Sequence, residues 1–419
     1  MRVAFVTLGC RTNQAESAHL EQMISRGGHQ IVDLNEGADI CVINTCSVTA
    51  KADYQSRQSI SRAIKANAEV IVTGCYAELN SNFLKEKNLG IKVIGNDYKS
   101  SIINLIPSSS SYNTLDNIPK LRHRPTIKVQ DGCNNECSYC IIPSARGRSK
   151  SINPNEIIDE IKQLESLGFE EIVLSGIHLG TYGKDLTLDF NLAKLLEEIL
   201  SVTSKVRIRL SSIEIIELSD YLLDVLNHDR ICRHLHIPLQ SADDTILARM
   251  NRSYTVKEYS LILNKIIRQF NNISIGTDII VGFPTEEESH FNNTMSFLDS
   301  QPFTYLHVFP FSPRPGTVAA NMKPQVSDLL KKERVLVARK LSLRKKATFL
   351  KANIGLNHEI IVETVNKTGI IGTTSNYIKV LAPMDEAMTP GRLVRIRITD
   401  VDNDKASGLP VNSVQPPHK

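Results

Sequence analysis

Cys133, Cys137 and Cys140 follow one another as Cys-x3-Cys-x2-Cys within residues 130–143. A cluster of four irons and four sulfides is ordinarily held by four thiolates, so three closely spaced cysteines hold it and leave one iron open to a small molecule. Such an open iron is a reaction site. Zinc is the alternative occupant. It favours four closed tetrahedral ligands, however, and no second Cys or His pair follows within the next several dozen residues.

Three further cysteines share a topological position. Apolar runs at Val3–Leu8, Ile40–Asn44 and Val70–Thr73 alternate with helical patterns at Gln14–Ser25 and Ala50–Ala66, which predicts an open parallel sheet. Cys10, Cys46 and Cys75 each fall just past one of these strands. In an open parallel sheet those ends share one edge, the edge where ligands bind, so the three thiols are expected to converge. A second three-thiolate cluster site is the economical reading. The alternative, that each is a small buried hydrophobe, fits Cys41 inside its strand and Cys232, which has no ligand-like neighbour.

The elements around the first trio repeat the pattern. Expected strands at Thr126–Gln130, Glu171–Leu174, Val206–Leu210, His234–Ile237, Ser274–Ile279 and Tyr305–Phe309 alternate with helices such as Pro154–Leu167, opened by Asn153 as a cap. Six βα units predict an incomplete barrel with its function at the carboxyl ends of the strands. A polar stretch with Pro107, Ser108–Ser111, Pro119 and Pro125 reads as a linker. After Asn353, short strands at Glu359–Glu363, Tyr377–Leu381 and Leu393–Ile398 predict a small β-barrel. The expected domains are 1–115, 122–350 and 353–415.

The chain of 419 residues carries a net charge of only +4, too mild to name a partner. Its distribution says more. Between Lys331 and Lys351 nine Lys or Arg face the single acid Glu333, punctuated by Val335, Leu336, Leu341, Leu343 and Leu350. This reads as an amphipathic helix with a basic face for a phosphate backbone, against the plain alternative of a solvated surface. The last 67 residues balance seven basic against seven acidic side chains, so that barrel binds RNA by shape and local patches or serves as a structural cap. No run of eighteen apolar residues occurs and the first eight residues are too short for a signal peptide, so a soluble cytoplasmic protein without a membrane partner is expected. Eight cysteines agree with a reducing compartment.

The chain resembles the methylthiotransferases of the radical S-adenosylmethionine superfamily over nearly its full length. Residues 130–140, 174–180, 209–214, 234–241, 276–284 and 307–312 carry the likeness, which is greatest to the bacterial members that act on threonylcarbamoyladenosine-37 of transfer RNA. The resemblance implies that Cys133, Cys137 and Cys140 hold the radical-generating 4Fe–4S cluster, and that Cys10, Cys46 and Cys75 hold an auxiliary one tied to sulfur delivery. It places Tyr139 near the adenine of S-adenosylmethionine, Ser175 and Gly176 at its methionine end, and Gly282 on an adenine-lining strand end. It also implies a TRAM-like barrel, the anticodon loop as partner, an electron donor such as flavodoxin or ferredoxin, and a sulfur source. One S-adenosylmethionine would methylate a sulfur and a second would yield the radical that activates C2 of the adenine. Ile215 replaces a usual proline, and Ala242 and Asp243 replace a usual Gly-Ser pair, which bears on substrate detail. Isopentenyladenosine-37 and a ribosomal-protein aspartate are the rival substrates, and an RNA-binding iron–sulfur sensor without turnover is the rival class. No side chain is named as catalytic base; His178, His234, His236 and His307 lie at expected strand ends and either line the pocket or are satisfied core histidines, the second reading being favoured.

Overall fold

A computed structural model describes residues 1–87, 90–106, 123–186, 189–384, 388–402 and 404–411. Most of the expected linker, including Pro107, Ser108–Ser111 and Pro119, lies outside them. The first sheet comprises β1 (Arg2–Thr7), β2 (Gln30–Val32), β3 (Ile40–Thr45), β4 (Glu69–Gly74) and β5 (Lys92–Val93), all parallel, in the order β2-β1-β3-β4-β5. The central strand β3 is buried at all six positions, as a strand covered on both faces must be. Pairing of Thr7 with Asn44, and of Thr45 with Gly74, ends three strands level with one another. The two short edge strands β2 and β5 were not legible as strands in the sequence.

All six expected strands of the next unit form. They are β6 (Thr126–Asp131), β8 (Glu171–Gly176), β9 (Arg207–Leu210), β10 (His234–His236), β11 (Ser274–Val281) and β12 (Tyr305–Pro310); β7 (Lys150–Ser151) adds an antiparallel edge to β6. Their helices bury one apolar stripe, as Leu192, Leu195, Leu196 and Ile199 do within helix Leu192–Val202. Asn153 caps helix Pro154–Ser166 by accepting from Asn155 N at 2.9 Å. The arc has a seam. Strands β7-β6-β8-β9 and β10-β11-β12 form separate sheets, joined through the Ile208–Ile231 bridge and a 2.8 Å bond from Cys232 N to Ile208 O.

Helix Asp328–Ala352 packs along β12 and leads into a closed barrel of β13 (Asn357–Asn366), β14 (Gly369–Thr374), β15 (Lys379–Ala382), β16 (Leu393–Asp402) and β17 (Lys405–Pro410). The helix is only partly as its pattern suggests: Val335, Leu341 and Leu350 are buried, while Leu336 and Leu343 are exposed. A buried charge network seats the barrel. Glu171 accepts from Arg209 Nε at 2.8 Å, and Arg209 Nη2 donates onward to Thr374 O at 2.9 Å. Burial alone would raise the Glu171 carboxyl, but Arg207 and Arg209 hold it down at about 2. Among the described residues no helix is long and apolar enough to cross a membrane.

Candidate functional site

The level ends of β1, β3 and β4 bring Cys10, Cys46 and Cys75 onto the wall of one cavity of about 550 Å³. Asn13 holds two of their loops together, since its Nδ2 donates to Leu8 O at 2.7 Å and to Thr45 O at 3.0 Å. Two glycines let the loops close. Gly9 sits at φ +90°, where a Cβ would meet Cys46 Sγ at 2.7 Å, and Gly74 at φ +94° would press a Cβ to 2.4 Å from Thr45 O. Burial pushes the Cys46 thiol up to about 11 and raises Cys75 despite the neighbouring Arg146 guanidinium. Thiols held protonated in this way release a proton when they bind metal.

The loop after β6 carries the other trio. Cys133 Sγ lies 3.4 Å from His178 Nδ1 and accepts from Asn135 N at 3.4 Å. Cys137 Sγ accepts from Arg252 Nη1 at 3.3 Å, and Arg252 also pairs with Glu214. Cys140 is pushed up to about 12 by burial. Cys140 and Tyr139 line a second cavity of about 200 Å³, which shares Val48, Ile142, Asp278 and Phe309 with the larger one. The first trio and Cys140 of the second therefore open on adjoining spaces. Among the described residues neither trio gathers its sulfurs within 4.8 Å, the spacing a single ion needs. A cubane suits this better than zinc, because each thiolate then binds a different iron.

Ser175 and Gly176 end β8 on the wall of the larger cavity, and a Cβ on Gly176 would meet Gln130 Oε1 at 2.9 Å. Tyr139 lines the smaller cavity while packing beside Phe283 and Phe311. Gly282 lines neither cavity. It turns the chain at φ +71° beneath Lys331, and its neighbour Ile280 faces the smaller cavity instead. Ile215, Ala242 and Asp243 also line neither; Asp243 caps helix Asp244–Arg249.

The histidines combine the two readings. His234, His236 and His307 line the larger cavity, and His234 and His236 are buried in its wall. His236 Nε2 and His307 Nδ1 both contact Asp278 Oδ1, at 2.8 and 3.1 Å, and Tyr305 OH lies 3.1 Å from His236 Nδ1. Burial would raise the Asp278 carboxyl, yet these two rings hold it well below the usual range. Burial and the nearby Arg209 lower His234, which is therefore neutral near pH 7. His178, set between Cys133 and Glu217, is pushed up to about 10 by those partners against the effect of burial. Tyr377, from the turn between β14 and β15, also reaches the cavity, stacked on His234 with centroids 4.2 Å apart. No local sequence signal marks Tyr377, which joins the site through the fold, whereas Asp278 lies in the stretch 276–284 that carries the family likeness.

Residues 127–298 match the Radical SAM superfamily, and residues 2–95 match the Uncharacterized protein family UPF0004. The threonylcarbamoyladenosine tRNA methylthiotransferase MtaB of Bacillus subtilis is 39% identical over 99% of this chain and 96% of its own length. The MtaB of Aquifex aeolicus is 37% identical over 95% of this chain and all of its own. The chain belongs to the MtaB methylthiotransferase family. A tRNA-2-methylthio-N(6)-dimethylallyladenosine synthase of Thermoanaerobacter is also similar to this MtaB-family chain, at 34% identity over 94% of it and 89% of the relative. The solved radical S-adenosylmethionine methyltransferase TsrM of Kitasatospora setae, with cobalamin and a 4Fe–4S cluster bound, shares the fold at TM-score 0.54 and 14% identity, over 76% of this chain and 77% of that one. For an MtaB-family chain, the soft thiol donors in two sets of three, with Cys10, Cys46, Cys75 and Cys140 beside open space, fit iron–sulfur clusters with a free corner.

Proposed function

We propose that this chain converts N6-threonylcarbamoyladenosine-37 of transfer RNA into its 2-methylthio derivative. The observation that carries the reading is that Cys10, Cys46 and Cys75 line one cavity while Cys140, the last of the other trio, lines an adjoining one with four wall residues in common. The adenine C2–H bond is unactivated, and side-chain acid–base help contributes only about 10² to 10⁴ in rate. Two 4Fe–4S clusters and S-adenosylmethionine, when bound, supply the one-electron and sulfur chemistry that this bond requires.

The chain's own residues position and shield. Cys10, Cys46 and Cys75 are assigned to the auxiliary cluster, and Cys133, Cys137 and Cys140 to the radical-generating one. Ser175, Gly176 and Tyr139 are assigned to S-adenosylmethionine. Arg252 and His178 hold the Cys137 and Cys133 sulfurs in place from outside the loop. Asp278 fixes the ring orientations of His236 and His307, and neutral His234 with Tyr305 and Tyr377 gives a flat aromatic wall suited to a base. Domains at 1–115, 122–350 and 353–415, a TRAM-like role for the closed barrel, a cytoplasmic site of action, and an electron donor such as flavodoxin or ferredoxin complete the proposal.

Mass analysis of transfer RNA nucleosides from cells lacking the gene tests it. Loss of 2-methylthio-threonylcarbamoyladenosine is expected. Loss of the methylthio dimethylallyl nucleoside instead would move the chain to the activity named for the Thermoanaerobacter relative.

A further inference from the structure

We infer that Arg11 receives the carboxylate of the threonylcarbamoyl group on the substrate adenine. The inference rests on the function proposed above and adds the residue that reads the substituent. Arginines around the site are otherwise matched to resident carboxylates. Arg146 Nη1 meets Glu16 at 2.9 Å, Arg209 Nε meets Glu171 at 2.8 Å, Arg314 Nη2 meets Asp53 at 2.5 Å, and Arg252 pairs with Glu214. Arg11 has no such partner among the described residues. Its hydrogen bond there goes from Nη2 to the Tyr377 hydroxyl oxygen, at 3.2 Å. A guanidinium has five N–H donors, so most of its fork is left for a ligand.

Its position suits that ligand. Arg11 is half-buried on the wall of the larger cavity and directly follows Cys10. Its charge bears on His234 and Tyr305 on the same wall. The cavity's own carboxylate, Asp278, is already occupied by His236 and His307 and does not neutralise it. On an adenine, C2 and N6 flank N1 on a single edge. A base that offers C2 to the Cys10 side therefore sends its N6 substituent along the wall that Arg11 occupies. A threonylcarbamoyl substituent ends in a carboxylate, which a planar guanidinium binds with two parallel hydrogen bonds. A dimethylallyl substituent offers nothing to it.

The Tyr377 end of the pair is held rigid. Arg209 lies 5.3 Å from the Tyr377 ring centroid, His234 stacks on the same ring, and the residue occupies φ +66°, a conformation that non-glycine residues rarely adopt and that recurs at ligand clamps. The C-terminal barrel thus contributes one jaw of the subsite and the first domain the other.

A backbone phosphate presents similar anionic oxygens, and binding measurements separate the two sources. The anaerobically reconstituted protein and its Arg11→Gln variant would be titrated with anticodon stem-loops carrying threonylcarbamoyladenosine, dimethylallyladenosine or plain adenosine at position 37. The unaltered protein should prefer the threonylcarbamoyl loop. Arg11→Gln should abolish that preference, a loss of about tenfold to a hundredfold, with affinity for the plain loop unchanged. Arg11→Lys, which keeps the charge and loses the fork, should retain part of it. Equal losses on all three loops would assign Arg11 to a phosphate and overturn the inference, as would a variant that keeps the full preference. If the unaltered protein shows no preference, the substrate reading itself fails and takes this inference with it. Matching iron content and thermal midpoint in the variants exclude misfolding as the cause.

Discussion

Arg146 Nη1 lies 2.9 Å from Glu16 Oε1, so the residue six positions past Cys140 grips the residue six positions past Cys10. Both are buried, and the same carboxylate also meets Lys99 and Lys128. Removing Glu16 would leave three cations around an empty centre. Glu16→Ala is therefore expected to cost about 3–5 kcal/mol in urea unfolding, whereas an exposed pair such as Lys92–Glu69 is worth at most about 1. Acid should show the same network. Burial raises the Glu16 carboxyl, but Arg146, Lys99 and Lys128 outweigh it and hold it well below its ordinary value. Its contribution is then complete above the unfolded carboxyl range near pH 4.3 and is lost as pH falls through the lower folded value. Glu16→Gln should accordingly flatten the decline of stability below about pH 4. An unaltered slope would show that the network does not govern acid stability.

The bond from Arg252 to Cys137 Sγ, at 3.3 Å, places a permanent cation against one sulfur of the proposed radical-generating cluster site. Hydrogen bonds and net charge at the sulfurs set cluster potentials. Arg252→Gln should shift the midpoint negative by about 50 mV, the equivalent of roughly 1 kcal/mol for one electron, in an anaerobic redox titration followed by electron paramagnetic resonance. An unmoved midpoint with intact iron content would restrict Arg252 to its pairing with Glu214.

The meeting of Cys10, Cys46 and Cys75 on one cavity wall was legible in the sequence for a topological reason, whereas Cys133, Cys137 and Cys140 stood out by local spacing alone. Apolar periodicity located the strands to within a few residues, and a parallel sheet fixes where their ends must meet. Edge strands of two or three residues, β5 and β2, carry too little pattern to register. Strands β14 and β17 escaped notice because Gly372 and Gly408 interrupt their apolar alternation. What periodicity cannot reach is pairing through space. Arg146 and Glu16 are 130 residues apart, and Tyr377 enters the site 366 residues after Arg11. The histidines look like core residues in sequence because they sit in buried strands. Only the inward face of the arc turns them toward the cavity.

The basic helix Asp328–Ala352 is less free than its composition suggests. Lys331 and Arg334 are buried, Lys345 Nζ donates to Asp299 O and Gln301 O at 2.9 and 2.6 Å, and Lys346 pairs with Asp404 at 3.3 Å. Neutralising Lys345 and Lys346, the natural choice from sequence, would disturb packing as well as charge. Arg339 and Lys340 are exposed and have no ion pair among the described residues. Changing both to Gln should weaken binding to every transfer RNA alike and reduce the slope of log K against log salt by roughly 1.5–2. An unchanged slope would return this helix to an ordinary solvated surface.

Cluster assignment can be separated from substrate by counting metal. Two independent cubanes give roughly eight irons per chain in anaerobically purified protein. Changing Cys10, Cys46 and Cys75 together to Ala should leave about four, and changing Cys133, Cys137 and Cys140 should leave a different four. Cys41 and Cys232 serve as controls. Both are buried, burial raises both thiols, and neither borders a cavity that holds a trio, so Cys41→Ala and Cys232→Ala should retain the full complement. Only the second trio's loss should abolish 5′-deoxyadenosine formation from S-adenosylmethionine under reduction, because its Cys140 shares a cavity wall with Tyr139. Formation of 5′-deoxyadenosine without Cys133, Cys137 and Cys140 would remove the radical chemistry from this loop altogether.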